Sequence, residues 1–156
     1  MALQKNVNIR NRKARFEYEI TDTYVAGIVL RGTEIKAIRE GKASIGEGFC
    51  EFNSRGELFA INISIQEYSH ASTAYSHNPR SERKLLLNKS ELRKLEKEVK
   101  NVGFTIIPLR LFTNNRGLAK LEIGLARGKK LHDKRESLRA KDAQRDLRRI
   151  QKAFNN

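Results

Sequence analysis

The positive charge of this chain is unevenly placed, and that placement limits what can fold. The chain has 32 Lys and Arg against 18 Asp and Glu, for a formal charge of +14 at neutral pH. Residues 1–15 hold Lys5, Arg10, Arg12, Lys13 and Arg15 and no acid. Residues 127–156 hold eleven bases and four acids, whereas 16–126 hold sixteen and fourteen. A nearly neutral middle between basic ends reads as a folded body with basic extensions. The expected division is a basic N-terminal extension over 1–15, a β-barrel over 16–127 and a basic tail over 128–156. A sequence pI near 10.2 calls for an anionic partner, most commonly nucleic acid, over the plainer alternative of a soluble basic surface.

The middle reads as strands and turns. Phe16, Tyr18 and Ile20 alternate with Glu17 and Glu19, the period of a half-buried strand. Tyr24 to Leu30 is apolar and β-branched, with Gly27 expected at a bulge or a close backbone approach. Phe49–Phe52 and Glu57–Ile65 flank Asn53-Ser54-Arg55-Gly56, and Phe104–Phe112 and Leu118–Ala126 flank Asn114-Asn115-Arg116-Gly117. Both pairs predict hairpins. Pro108 lacks an N–H, which favours an edge or a bulge there.

Two helices interrupt the strands. Thr33–Glu40 places Ile35 and Ile38 on one face, with Gly41 as its stop. The second runs from about Lys89 to Lys100. Asn88 and Glu91 have capping-box spacing, and Leu92, Leu95 and Val99 form the apolar stripe. Short antiparallel strands with a helix or two across them predict a mainly β, α+β fold: an OB-like antiparallel β-barrel with flanking helices. In the C-terminal tail, Ala143, Leu147, Ile150 and Phe154 make only a thin stripe within a charged segment. So little apolar area does not offset the ordering entropy of the backbone. The tail is expected to be disordered in the free chain and helical against an anionic surface, the alternative being a solvated helix docked on the barrel.

Catalytic patterns are missing. His70, His77 and His132 have no metal-ligand spacing, and Cys50 has no second cysteine. No nucleophile elbow, P-loop or kinase signature occurs, and Gly46-Glu47-Gly48 reads as a turn. The sequence predicts no enzyme, metal or cofactor. A lone cysteine, no apolar run of about 20 residues and no apolar segment in Met1–Arg15 predict a cytoplasmic location.

Two basic stretches suit phosphate contacts. Asn78 to Asn88 carries Arg80, Arg83 and Lys84 ahead of an apolar run. Gly124 to Arg135 carries Arg127, Lys129, Lys130, Lys134 and Arg135 after a strand. Such side chains neutralise phosphates and release counterions. His132, among these bases, can stack on a nucleobase, which is worth roughly 1–3 kcal/mol, or can simply be an exposed histidine.

With these stretches the sequence resembles the SmpB family of SsrA-binding proteins. The resemblance is carried by Asn11-Arg12-Lys13-Ala14-Arg15, Ala26-Gly27-Ile28-Val29-Leu30, Gly32 to Arg39, Arg83 to Asn88 and Gly128 to Arg135. It implies an OB-like barrel that binds the tRNA-like domain of transfer-messenger RNA. It further implies delivery of that RNA to ribosomes stalled on messages without a stop codon, where the peptide is tagged for degradation. The tail would enter the empty mRNA channel of the small subunit, near decoding-centre rRNA, and fold there. EF-Tu and alanyl-tRNA synthetase would be reached only through the RNA, and the chain would act as a monomer.

Carried over by position, the resemblance ties Glu34, Leu86 and Asn88 to the tRNA-like domain. Each has a rival reading: Glu34 as a helix-start acid, Leu86 as core, Asn88 as a cap. Arg12, Lys13, Lys36, Arg39, Arg83 and Lys84 complete the expected RNA-binding set. Lys129, Lys130, His132, Asp133, Lys134, Arg135 and Ile150 make up the expected ribosomal set, with Ile150 as the apolar anchor. Residues 69–77 and 139–156 follow the family only loosely. The competing functions are a structural ribosomal protein, a nuclease with an acidic site, and a DNA-binding protein.

Overall fold

Alternating strands with one apolar face must cover that face, and here they do so by closing on themselves. The computed structural model describes residues 6–68 and 77–129, together with residues 144, 145 and 148. Its strands are β1 (Asn8–Arg10), β2 (Tyr18–Ile28), β3 (Ala43–Ser44), β4 (Phe49–Phe52), β5 (Leu58–Ile61), β6 (Ser64–Ile65), β7 (Arg83–Leu86), β8 (Phe104–Thr113) and β9 (Ala119–Gly128). The helices are α1 (Ala14–Glu17), α2 (Gly32–Arg39) and α3 (Lys89–Val99). The pairing order β8-β4-β5-β7-β2-β9 returns to β8, and every pair is antiparallel. The ring is a closed OB-like barrel with flanking helices. Closure removes the open edges on which an exposed sheet would aggregate.

β1 lies outside the ring along the far half of β8, Asn8 opposite Phe112 and Arg10 opposite Arg110. Part of the basic N-terminal region is therefore built into the body, and Val7 is buried. Inward positions alternate: Leu121, Ile123 and Leu125 from β9, Ile106 and Leu111 from β8, Leu58 and Ala60 from β5, and Leu85 from β7. Ile38 of α2 and Leu95 of α3 complete this core. A smaller cluster of Ala14, Ile107, Leu109 and Ala126, with Tyr18 and Ile20 against it, lies under α1.

That smaller cluster explains one departure from the sequence reading. Phe16 and Glu17 belong to α1, not to a strand, because a helical turn brings Ala14 over Ile107 and Leu109. The strand expected over Tyr24–Leu30 is the second half of the continuous β2. Its register shift lies between Ile20 and Asp22, while Gly27 sits in regular register opposite Leu86. A Cβ on Gly27 would lie 3.4 Å from the Leu86 Cβ, so the glycine serves a close approach. The expected strand Glu57–Ile65 is split into β5 and β6 at Asn62, which has φ 58°. Pro108 stands at a register shift, between Pro108 and Arg110, where a ladder N–H is not required.

The local signals hold. Both hairpin turns end on a glycine with positive φ, Gly56 and Gly117. The Asn88 side chain accepts from the Glu91 N–H at 2.9 Å, and Glu91 accepts from the Asn88 N–H. Leu95 is buried, with Leu92 and Val99 packed against the core. In the tail, residues 144, 145 and 148 are helical and exposed. The expected stripe of Ala143, Leu147, Ile150 and Phe154 lies outside the described residues, as does His70.

Three measurements check this packing. Gly48→Ala should cost about 1–3 kcal/mol in urea denaturation, since a Cβ there would lie 3.0 Å from Ile63 and Pro108 and 3.2 Å from the Ile45 carbonyl oxygen. Asn88→Ala should cost about 0.5–2 kcal/mol through the lost cap. Burial pushes the Cys50 thiol up, and its side chain is enclosed. A thiol reagent should therefore label Cys50 only as fast as the chain opens; immediate labelling of the native chain would contradict the closed barrel.

Candidate nucleic-acid interface

Of the expected RNA-binding residues, Arg39 on α2 and Leu86 on β7 border one groove, with Lys36 on the same helix and Asn88 at the adjoining start of α3. α2 turns Glu34, Ala37 and Ile38 inward, which leaves Ile35 and Arg39 beside a groove of about 450 Å³. Leu86, Leu118, Ile28 and Leu30 also line it, and Lys120 closes one side. Leu86 is 54% exposed and Leu118 55%. Leu86 is therefore not a core residue. An exposed apolar strip beside two cations can take the flat face of a nucleobase while the cations take phosphate. Arg39 is oriented by donating from Nη2 to the Gly117 carbonyl at 3.2 Å, and Lys36 stands 5.5 Å over the Tyr68 ring. Asn88, exposed at the start of α3, uses its Oδ1 for Glu91 N–H and Ser90 Oγ. Its Nδ2 has no partner among the described residues and remains a donor for a ligand.

Other expected contacts are engaged elsewhere. Glu34 and Arg83 are 3% and 2% exposed and form a buried ion pair. Glu34 also accepts from the Arg31 N–H at 2.9 Å, the helix-start role its position suggests. Lys84 pairs with Glu57 at 2.6 Å. Its hydrogen bond, followed by that of Asn53, holds the Glu57 carboxyl below the usual carboxylate range. Lys13 lies 3.6 Å from Glu47 with both side chains largely exposed, a pair that a phosphate can displace at little cost.

A second group of cations surrounds a separate cavity of about 460 Å³ lined by Arg10, Asn11, Arg12, Arg15 and Arg110. Sequence reading selected only Arg12 from it. Arg110 comes from a strand a hundred residues away and stands directly opposite Arg10 in the β1–β8 register. Like charges in that relation repel. Glu122 relieves Arg110 in part at 3.6 Å, and the Phe112 ring lies 4.0 Å from its guanidinium. Among the described residues, Arg10, Arg12 and Arg15 pair with no carboxylate. Only the β1–β8 pairing could have shown that Arg10 and Arg110 meet.

Lys129 ends the described body, its N–H donating to the Glu17 carbonyl at 3.1 Å. Lys130, His132, Asp133, Lys134, Arg135 and Ile150 lie outside the described residues. His77 is buried between Thr33 Oγ1 and the Ile65 carbonyl, both at 2.9 Å, so both ring nitrogens are engaged. Among the described residues, no three His, Cys, Asp or Glu side chains are grouped to hold a metal, and no helix is long and apolar enough to cross a membrane.

The sequence and the fold have close relatives. The family model described as SmpB protein matches residues 8–153. An SsrA-binding protein of Christiangramia forsetii is 64% identical over 152 residues, covering 97% of this chain and 96% of its own length. Another, from Rhizobium johnstonii, is 51% identical over 143 residues, covering 92% and 93%. A solved chain described as "tmRNA-SmpB: a journey to the center of the bacterial ribosome" superposes with a TM-score of 0.68 at 46% identity, covering 85% of this chain and 94% of that one. The agreement runs from the first strand through the barrel and into the basic C-terminal residues, and the chain belongs to the SmpB family.

Proposed function

We propose that this chain is an RNA-binding adaptor of trans-translation. It binds the tRNA-like domain of transfer-messenger RNA and brings that RNA to stalled ribosomes, where the nascent peptide is tagged. The observation that carries the reading is the apolar groove that Leu86 lines together with Arg39 and Lys120, with Lys36 on the same helix as Arg39 and Asn88 at the start of α3 just after Leu86, in a chain whose relatives are SsrA-binding proteins. A folded RNA is recognised by shape and by unstacked bases rather than by duplex sequence. A groove for a base with cations on either side suits that task.

In this reading Arg12 and Lys13, with Arg10, Arg15 and Arg110, form a second phosphate-binding patch. The division of the chain into a basic N-terminal region, a barrel and a basic tail is also a division of tasks: the barrel holds the RNA and the tail reads the ribosome. Lys129, Lys130, Lys134 and Arg135 contact small-subunit rRNA, His132 stacks at the decoding centre, and Asp133 belongs to the same contact. The tail forms its helix in the vacant mRNA channel with Ile150 as its apolar anchor. A channel occupied by message excludes it, so stalled ribosomes are selected by exclusion. The chain works in the cytoplasm as a monomer and catalyses nothing. EF-Tu and alanyl-tRNA synthetase meet it through the RNA alone.

Two sets of variants separate these tasks. Arg39→Glu should weaken binding to a transcript of the tRNA-like domain by about tenfold or more, through a lost contact and a new repulsion. Alanine at Lys129, Lys130, Lys134 and Arg135 together should leave that binding within about threefold, because the contacts lie elsewhere, and should abolish peptide tagging on stalled ribosomes. Equal losses in both assays would contradict a separate tail function.

A further inference from the structure

Arg83 has no donor left to give. A guanidinium carries five N–H donors and no acceptor. Nε donates to Glu34 Oε2. Nη1 donates to the carbonyls of Ile63 at 2.8 Å and Ser81 at 2.9 Å. Nη2 donates to those of Asn78 at 3.3 Å and Pro79 at 3.0 Å. With five acceptors on five donors and 2% of the residue exposed, Arg83 can reach a phosphate only by abandoning the interior.

We propose that Arg83 is a positioning residue for RNA recognition. It ties α2 to the entry of β7, and so sets the distance between the α2 cations and Leu86 and Asn88, without touching RNA itself. The inference rests on the RNA-binding reading above and assigns Arg83 a role different from that of Arg39.

One planar group joins three pieces of backbone. Glu34 brings in α2, and its other oxygen holds the Arg31 N–H at the helix start. Ile63 brings in the segment between β5 and β6. Asn78, Pro79 and Ser81 bring in the stretch that leads directly into β7, whose last residue is Leu86. Nearby contacts hold the same stretch: the Pro79 carbonyl also accepts from the Ile65 N–H at 2.9 Å, and His77 bridges Thr33 and Ile65. The groove is lined by Ile35 and Arg39 from α2 and by Leu86 from β7. Its width therefore depends on how those two elements are joined. Lysine cannot replace this link, because its donors radiate from one nitrogen and cannot span a carboxylate and four carbonyls.

The test is affinity for a transcript of the tRNA-like domain, measured across a salt series for the wild-type chain, Arg83→Lys, Glu34→Gln and the double variant. Thermal melts check that each one folds. Arg83→Lys should bind about tenfold or more weakly, with an unchanged slope of log affinity against log salt, because no phosphate contact is lost. The double variant should lose no more than about twofold beyond the weaker single variant, since both residues serve one link. Amides of Arg80 and Ser81 should exchange faster in Arg83→Lys. A slope reduced by about one would make Arg83 a phosphate contact and overturn the inference, as would multiplicative losses in the double variant. Should Arg83→Lys not fold, Glu34→Gln, which keeps the side chain's shape, is judged on its own affinity and slope. Failure of the wild-type chain to bind this RNA would overturn the functional reading. Wild-type binding matched by Arg83→Lys would overturn this inference alone.

Discussion

β9 pairs along nearly its whole length with β2 on one side and β8 on the other, and the barrel depends on that double pairing. Closing a ring fixes register, and register decides which residues face the core and which face out. Leu121, Ile123 and Leu125 point inward as a result, and Lys120 is left to the groove. The register shifts at Ile20/Asp22 and Pro108/Arg110 accommodate the curvature that closure requires. The helices then cover what remains: α1 the outer cluster, α2 and α3 the rest of the core. The candidate interface uses residues these packing demands leave free on α2, on β7 and at the start of α3.

Local chemistry was legible in the sequence. The Asn88 and Glu91 pair, the stripe on α3, the two hairpin turns ending at Gly56 and Gly117, and the proline at a bulge all follow from interactions within a few residues. What was hidden depends on distant partners. Phe16, Tyr18 and Ile20 alternate as a strand would, and Tyr18 and Ile20 do lie in β2, but covering Ile107 and Leu109 with Ala14 puts Phe16 and Glu17 in a helix. Arg83 reads as one more surface base ahead of an apolar run. Its burial requires Glu34, 49 positions earlier, and four carbonyls that no pattern announces. The meeting of Arg10 with Arg110 is likewise a matter of strand pairing.

Net charge alone therefore gives a poor map of where RNA binds. Of the bases in and around the candidate face, Arg83 is internal and Lys84 is held by Glu57, whereas Arg39 and Lys120 border the groove. The uncompensated charge outside that face gathers at Arg10, Arg12 and Arg15 and in the C-terminal basic run. A chain divided in this way can hold a folded RNA by shape on one face and keep other cations for a second anionic surface. That division is what an adaptor between an RNA and a ribosome requires.

The most direct test of the central claim is to titrate the isotopically labelled chain with the tRNA-like domain of transfer-messenger RNA and follow backbone amide shifts by NMR. The account predicts that the largest changes fall on α2 and the β7–α3 junction, at Lys36, Arg39, Leu86 and Asn88, and at Lys120 across the groove. Changes confined to the β4–β5 hairpin, with α2 and Leu86 unmoved at saturating RNA, would contradict it.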